Sequence, residues 1–183
     1  MRKISLENMS GLFAEIAKEN TLYLPVDSEK GAKFEIWSED KKMSDALNTV
    51  RSAKDFFFPQ TENLMDFKIE GKNIDIIDTR NECEDFVVFG VRACDAKSFE
   101  VLDKVFLSDP VDSYYKNRRD HGIIVTLACT KPAETCFCTA FGIDPANPGA
   151  DIECYKTEDG FYYEIKTEKG KKLEKAFENV SSS

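Results

Sequence analysis

The chain has 183 residues, 42% of them hydrophobic, and a formal net charge of −9. This length is that of one domain with a substantial core. The acidic charge disfavours nucleic acid and anionic membranes as partners, because phosphate binding needs clustered lysine and arginine. No apolar run approaches the ~20 residues of a membrane span, and the N-terminus lacks the apolar segment of a signal peptide. We therefore predict a cytoplasmic protein with no membrane span, whose six cysteines are thiols or metal ligands rather than disulfides.

The first half of the chain predicts one helix followed by short strands. Apolar residues from Leu6 to Ala17 recur at intervals of three and four, which is typical of an amphipathic helix. Apolar and polar residues then alternate in four segments that we predict to be strands, namely 21–24, 33–37, 64–69 and 73–78. Between them, three consecutive phenylalanines precede Pro59, and we interpret these aromatic rings as a wedge in the core before a turn.

A β-α-β unit is the clearest pattern in the second half. Residues 86–91 and 123–128 are continuous apolar runs of strand length, which is consistent with strands buried on both faces. Residues 95–105 between them have apolar positions at helical spacing. About thirty residues separate the two strands, so a parallel pair joined by a crossover is the expected arrangement.

The C-terminal region predicts a hairpin and a helix. Residues 151–156 and 161–167 alternate like paired strands, and residues 169–179 suggest a charged helix. The predicted fold class is thus α/β (or α+β), a mixed sheet with a central β-α-β unit and a C-terminal β-hairpin plus helix. We predict one domain over 1–183, with a cysteine-bearing core at 85–150 and the hairpin and helix at 151–180.

Four cysteines lie where a ligand site would form in such a sheet. Cys94 follows the first buried run, Cys129 closes the second, and Cys136 and Cys138 lie in the loop beyond it. Ligands of parallel sheets bind beyond the carboxyl ends of the strands. Four thiolates can hold a cubane iron–sulfur cluster or a structural zinc ion. The spacing matches no standard ferredoxin run, so inert buried cysteines and a redox-active dithiol at Cys136 and Cys138 stay open as alternatives.

Other candidate residues have simpler interpretations. Cys83, in a charged loop, and Cys154, in a predicted strand, are expected to be bystanders. His121 is the only histidine, and it has no visible acid–base partner in sequence, so a structural role is expected. The aromatic and basic segment 112–120 can either bind a partner's carboxylate or phosphate or form a surface helix with internal ion pairs.

Four motifs in the same order resemble one family of electron-transfer subunits. The motifs are Phe-Phe-Phe-Pro-Gln-Thr-Glu within 54–62, Gly-Val-Arg-Ala-Cys-Asp at 90–95, residues 114–119, and Thr-Cys-Phe-Cys at 135–138. The family includes the A subunit of anaerobic sulfite reductases and the beta subunit of sulfhydrogenase-type nickel–iron hydrogenases. The resemblance covers most of 54–155. It implies that Cys94, Cys129, Cys136 and Cys138 bind an iron–sulfur cluster.

The resemblance also implies a place in a larger assembly. In that family a region of this kind is followed by a ferredoxin-like segment with two [4Fe-4S] clusters on repeated C-x2-C-x2-C-x3-C-P runs, which this sequence lacks. The chain is thus similar to the N-terminal domain alone, with the dicluster ferredoxin domain expected to follow it. The resemblance implies partners in the catalytic and flavin- or NAD-binding subunits of a redox complex.

The expected function is that of an electron-transfer domain of a multi-subunit anaerobic redox enzyme, like sulfite reductase or hydrogenase. The sequence contains no independent catalytic constellation, so the chain is expected to be a non-catalytic part of an oxidoreductase. The alternative is a non-redox docking or assembly module whose cysteines hold zinc or no metal.

Three further expectations concern the surroundings of a cluster. Arg92, which is beside Cys94 in the sequence, is expected to stabilise the thiolates through its charge. Asp95 is expected to cap the helix that follows the strand. The rings of Phe137 and Phe141 are expected to screen the cluster from water.

Overall fold

The structure is a computed structural model that describes residues 1–80 and 82–181. Within these residues the strands, in chain order, are β1 (Arg2–Ile4), β2 (Thr21–Val26), β3 (Lys33–Ile36), β4 (Met65–Glu70), β5 (Asn73–Asp78), β6 (Phe86–Val91), β7 (Gly122–Leu127), β8 (Ile152–Thr157) and β9 (Gly160–Ile165). The α-helices are α1 (Met9–Ala17), α2 (Ala93–Phe106), α3 (Ser113–His121) and α4 (Glu174–Val180). Short 3-10 helices are found at Leu6–Asn8, Ala53–Phe56, Cys138–Phe141 and Gly170–Leu173.

Seven of the strands form one mixed sheet in the order β1-β9-β8-β7-β6-β2-β3. The four inner strands, β8, β7, β6 and β2, run parallel to one another. The outer strands β9 and β3 run antiparallel to their inner neighbours, and β1 pairs antiparallel with β9. Both β6 and β7 are buried along their whole length, as expected for strands covered on two faces.

Helices cover both faces of this sheet, and the sheet separates the core into two apolar clusters. Because strand side chains alternate between faces, Val87 and Phe89 pack with helices α1 and α4, whereas Val88 packs on the other face with α2 and α3. On that second face the wedge of three phenylalanines places Phe57 fully in the core. This position confirms the interpretation for Phe57, while Phe58 is exposed and stacks on Phe106.

The fold class predicted from the sequence is confirmed. β6, α2 and β7 form the central β-α-β unit with its parallel pair, and β8 and β9 form the C-terminal hairpin before α4. The hairpin belongs to the main sheet, since β8 pairs with β7. The division into regions 85–150 and 151–180 within one domain stays a prediction, and Ser182 and Ser183 lie outside the described residues. No helix in the described part of the chain is both long enough and apolar enough to span a membrane.

A second, two-stranded sheet was not predicted as such from the sequence. Both of its strands were predicted, but β4 and β5 pair with each other and not with the main sheet. The turn between them contains Gly71 at a φ of +65°, a left-handed conformation that glycine adopts at no steric cost. The resulting hairpin is exposed along both strands.

Candidate functional site

The carboxyl edge of the parallel sheet brings two of the four candidate cysteines together. Cys94 lies in the first turn of α2, directly after β6, and Cys129 comes two residues after the end of β7. β6 and β7 are adjacent and parallel, so the chain leaves both strands at the same edge. A hydrogen bond from the Cys129 amide to the Pro145 carbonyl oxygen (2.9 Å) fixes the start of the loop that follows.

That loop carries the other two cysteines between β7 and β8. The Cys136 amide donates to the Ala133 carbonyl oxygen (3.0 Å), and the Ala133 amide donates back to the Cys136 Sγ (3.2 Å). Cys138 begins a 3-10 helix, which ends at Gly142 in a left-handed conformation. Short-range hydrogen bonds therefore fix the conformation of the loop around Cys136 and Cys138.

Two neighbouring cavities at this edge connect the four thiols. One is lined by Cys129, Cys136 and Cys138 together with Leu47, Pro132 and Pro145. The other is lined by Cys94, Cys136 and Cys138 together with Phe137, Phe141 and Ile143. Cys136 and Cys138 belong to both, so the structure brings all four predicted cysteines around one region.

The electrostatics of the thiols also show that they are neighbours. Burial raises the pKa of Cys94, and negative charge on Asp95, Cys138 and Cys129 raises it further. Burial raises the pKa of Cys129 as well, with added contributions from Cys138 and Cys136. Cys94 and Cys129 therefore resist ionisation unless positive charge compensates. A cationic metal or cluster iron would supply that compensation, since coordination to a cation favours the deprotonated thiol.

Arg92 supplies part of the positive charge, but beside Cys129 rather than Cys94. Its charge and a hydrogen bond from it work against the effect of burial on the Cys129 pKa, whereas burial and negative charge dominate the Cys94 pKa. The guanidinium donates to four carbonyl oxygens, those of Ala46 (3.1 Å), Leu47 (3.0 Å), Leu127 (3.3 Å) and Ala128 (3.3 Å). Arg92 therefore links the segment of Ala46 and Leu47 to the end of β7, and it places its positive charge near the thiols.

The prediction that Asp95 caps helix α2 was wrong. The N-cap position belongs to Arg92, which makes no side-chain capping bond. The Asp95 carboxylate lies within the first turn and points to another segment, where it accepts hydrogen bonds from the Ser52 hydroxyl (2.6 Å) and the Ala53 amide (3.5 Å). Its role is to hold the 3-10 helix of the phenylalanine wedge against the start of α2.

The aromatic residues of the loop are more exposed than expected. Phe137 and Phe141 are 65% and 67% exposed, with their ring centroids 5.6 Å apart. They line one wall of the cavity that contains Cys94. They can cover only one side of a bound group, and their outer faces meet solvent.

Two buried carboxylates that sequence reasoning missed hold the cysteine loop at its far end. Glu153 accepts a hydrogen bond from the Gly149 amide (2.8 Å) and pairs with Lys166 (3.1 Å). Asp151 accepts from the Ile124 amide (2.9 Å) and the Thr167 hydroxyl (2.7 Å). The sequence signal for them was an acidic residue at every second position of an otherwise apolar strand start. Carboxylates on the buried face of a strand require hydrogen-bond or ion-pair partners.

The residues predicted to be bystanders lie away from this edge. Cys154 is fully buried in the core on β8. Cys83 precedes β6 at the opposite, amino edge of the sheet, and burial raises its pKa. His121 Nδ1 lies 2.7 Å from Asp85 Oδ1 at the same amino edge. All six cysteines are free thiols.

The basic residues of the 112–120 segment form ion pairs within the chain. Arg118 pairs with Glu62 (2.7 Å), and Arg119 pairs with Asp103 (2.8 Å). Asp112 caps the helix by accepting from the amides of two following residues. This arrangement matches the surface helix with internal ion pairs rather than a free anion-binding site.

The potential metal ligands at this edge are the four cysteine thiols. In the described part of the chain, no three histidine, cysteine, aspartate or glutamate side chains are grouped so that they can hold one metal ion. By donor chemistry the four cysteines nevertheless fit an iron–sulfur cluster, which thiolates bind in proteins. Each cysteine of such a cluster binds a different iron, so the thiols surround a larger volume than they would around a single zinc ion.

Fold and site together define an α/β domain with thiol-lined cavities at the carboxyl edge of its sheet. Over 169 residues, or 92% of the chain, it is 33% identical to Sulfhydrogenase 2 subunit beta of Pyrococcus furiosus. Over the region it spans, the chain is therefore similar to a sulfhydrogenase beta subunit, the class of protein that its motifs indicated. The chain spans about half (49%) of the length of this curated relative. No protein-family model matches the chain, and no solved structure matches it.

Proposed function

We propose that this chain is an electron-transfer domain of a multi-subunit redox enzyme and that it holds one [4Fe-4S] cluster on Cys94, Cys129, Cys136 and Cys138. The observation that carries the proposal is the arrangement of these four thiols around two neighbouring cavities that share Cys136 and Cys138. The similarity to a beta subunit of sulfhydrogenase supports the redox setting.

The surroundings of the thiols suit a redox group. A cluster bound there would accept and release one electron, and its potential would depend on burial, nearby charge and hydrogen bonds to sulfur. Arg92 supplies positive charge on the side of Cys129. The Ala133 amide already donates a hydrogen bond to the Cys136 sulfur. The residues of the chain thus provide ligands, charge compensation and one hydrogen bond, and the cluster supplies the electron chemistry.

The proposal includes the setting inferred from the family. The partners would be catalytic and flavin- or NAD-binding subunits, and a ferredoxin-like domain with two further clusters would follow this domain in the full protein. The cytoplasm, which was predicted from the sequence, is the proposed compartment. Because the chain covers about half of its relative, the activity and substrate of the complete enzyme belong to the same proposal.

A docking module without redox chemistry is the second candidate. Its metal-free form is favoured by the finding that no three potential ligands in the described residues are grouped around one ion position, since a zinc ion requires such a group. In that case the cysteine loop would serve as a folded surface for a partner, with zinc or no metal bound.

Iron and acid-labile sulfide analysis with a visible spectrum separates the two candidates. Protein prepared without oxygen should contain about four irons and four sulfides per chain and absorb broadly near ~400 nm if a cubane is present. One zinc per chain and no visible absorption would support a structural site, because Zn²⁺ has a filled d shell. Failure to bind either after reconstitution with iron and sulfide would contradict the cluster.

A further inference from the structure

The hairpin of β4 and β5 has an exposed apolar face. Residues directly opposite one another in an antiparallel pair point to the same face, and in this hairpin Phe67 lies opposite Ile76 and Ile69 opposite Ile74. The face consists of five side chains that are 55% to 71% exposed: Met65, Phe67, Ile69, Ile74 and Ile76. The reverse face carries mainly polar residues, such as Asp66, Lys68 and Asp75, with Ile77 as its apolar exception.

Such a face is unusual for a hairpin that stands apart from the main sheet. Every residue of both strands is exposed, so no other part of the described chain covers the apolar side. A lone two-stranded hairpin is marginally stable in water. The five side chains present on the order of 600 Å² of apolar surface, which is at the upper limit of single patches on monomeric proteins.

The base of the hairpin is nevertheless firmly attached to the body of the domain. The Tyr114 hydroxyl of α3 donates to the Leu64 carbonyl oxygen (2.6 Å). The ion pair between Arg118 and Glu62 adds a second link from α3 to the segment before β4. The Thr79 hydroxyl donates to the Asn63 carbonyl oxygen (2.8 Å) and so closes the base of the hairpin itself. The hairpin therefore presents its apolar face from a fixed support.

We propose that this apolar face binds the same face of a second copy of the chain and so forms a two-fold symmetric dimer. In such an interface the same patch is used twice, with the opposed pair Phe67 and Ile76 near the symmetry axis. Two faces of this size would bury roughly 1,200 Å² in total, which reaches the lower limit of specific protein–protein interfaces. This dimer does not depend on whether the cysteines bind a cluster.

The charges around the hairpin permit this contact despite the acidity of the chain. Asp78, opposite Met65, is the ionisable residue on the apolar side of the two strands. It is neutralised by Arg80, whose Nε donates to both of its carboxylate oxygens at 2.9 Å. Asp66 and Asp75 belong to the reverse face, so face-to-face contact buries no unpaired charge. The net charge of −9 opposes close contact elsewhere on the surface.

Sedimentation of the 183-residue chain over a range of concentrations tests the proposal. We expect a monomer–dimer equilibrium that is weakened at least about tenfold by Ile76→Lys, because the substitution places an unpaired ammonium in the interface. The matched control is Ile77→Lys, which changes the neighbouring residue on the reverse face and should leave the dissociation constant within about threefold. Circular dichroism and melting temperature show whether both variants are folded.

Hydrogen exchange locates the interface independently of the variants. The amides of Met65–Glu70 and Asn73–Asp78 should gain protection as the protein concentration rises, because dimer formation suppresses opening of the hairpin. A chain that stays monomeric at all concentrations would overturn the proposal. An equal loss of dimer in the Ile76 and Ile77 variants would overturn it as well.

Discussion

Arg92 reaches from the end of β6 to the end of β7 and lies beside Cys129. Its Nη1 donates to the carbonyl oxygens of Leu127 and Ala128, each at 3.3 Å, and its charge opposes the rise that burial causes in the Cys129 pKa. One side chain therefore both closes the sheet edge and compensates a candidate ligand. The two effects are separable, because lysine retains the charge but not the planar set of five donors.

Replacing Arg92 tests this double role. Arg92→Ala leaves four carbonyl oxygens without their donor, so we expect a loss of at least about 2 kcal/mol in the free energy of unfolding. In cluster-loaded protein the midpoint potential should fall, since removing positive charge disfavours the reduced, more negative cluster. Arg92→Lys should lose stability but keep most of the potential. Denaturant titration and redox titration followed by EPR measure the two quantities, and an unchanged potential in the alanine variant would contradict the electrostatic role.

Single cysteine replacements test the ligand set. Serine at position 94, 129, 136 or 138 should lower the iron content of reconstituted protein by more than about half, because each replacement removes one thiolate ligand. Cys83→Ser is the matched control, since that cysteine lies at the opposite edge of the sheet. Iron that is retained in any of the four variants would remove that residue from the set. Iron lost equally in the control would indicate unfolding rather than ligand loss.

The sequence predicted the architecture well because local residue patterns encode the helices and strands. Continuous apolar runs marked β6 and β7 as strands buried on both faces. Because Cys94 and Cys129 follow those runs, a parallel topology predicted that both lie at the same edge of the sheet. The position of Cys136 and Cys138 in a loop also followed from the glycines and prolines beyond them. These features depend on residues that are close in sequence.

What the sequence did not predict depends on contacts between distant residues. The carboxylate of Asp95 binds Ser52, 43 positions earlier, and local capping rules suggested a nearer partner. The charge of Arg92 lies at Cys129 rather than at its sequence neighbour Cys94 because the crossover brings β7 alongside β6. The pairing of β4 with β5 alone likewise depends on which strands occupy the main sheet.

The buried end of the cysteine loop should be sensitive to Glu153. Glu153→Gln removes the ion pair with Lys166 and the charged acceptor of the Gly149 amide, so we expect a loss of about 1–3 kcal/mol in stability. Hydrogen exchange should accelerate in residues 130–149, because one anchor of the loop is lost. Glu164 is an exposed partner of the same lysine (2.8 Å), so Glu164→Gln serves as the control. Equal effects of the two substitutions would show that the buried position of Glu153 is unimportant.

The pair of Asp103 and Arg119 should give the domain part of its stability against acid. Burial opposes ionisation of Asp103, but hydrogen bonds from Arg119 and Tyr115 outweigh it and lower the Asp103 pKa. A pKa that is lower in the folded than in the unfolded chain stabilises the fold above the unfolded value of about 3.9. This contribution is lost as the pH falls through the folded-state pKa.

Asp103→Asn should therefore cost about 1–3 kcal/mol near pH 7, and the difference from the unmodified chain should shrink below about pH 4. Urea denaturation between pH 3 and 7 measures this dependence. Asp159→Asn is the control, because Lys3 lowers the Asp159 pKa to about 2 at an exposed site where solvent screens the pair. We expect no measurable loss of stability there, and a constant difference for Asp103→Asn across the pH range would contradict the linkage.

Gly122 allows two aromatic rings to pack against the start of β7. A Cβ at this position would lie 2.4 Å from Phe57 and 2.5 Å from Phe86, closer than packed carbon atoms can approach. Gly122→Ala should thus destabilise the fold by about 1–3 kcal/mol. Gly11→Ala should instead stabilise the fold by about 0.5–1 kcal/mol, because alanine has a higher helix propensity than glycine within helix α1. The added Cβ would lie at an ordinary contact distance of 3.6 Å from the Val180 side chain. Denaturant titration of both variants should give opposite signs, and adding Phe57→Leu to Gly122→Ala should recover part of the loss if the ring contact is the cause.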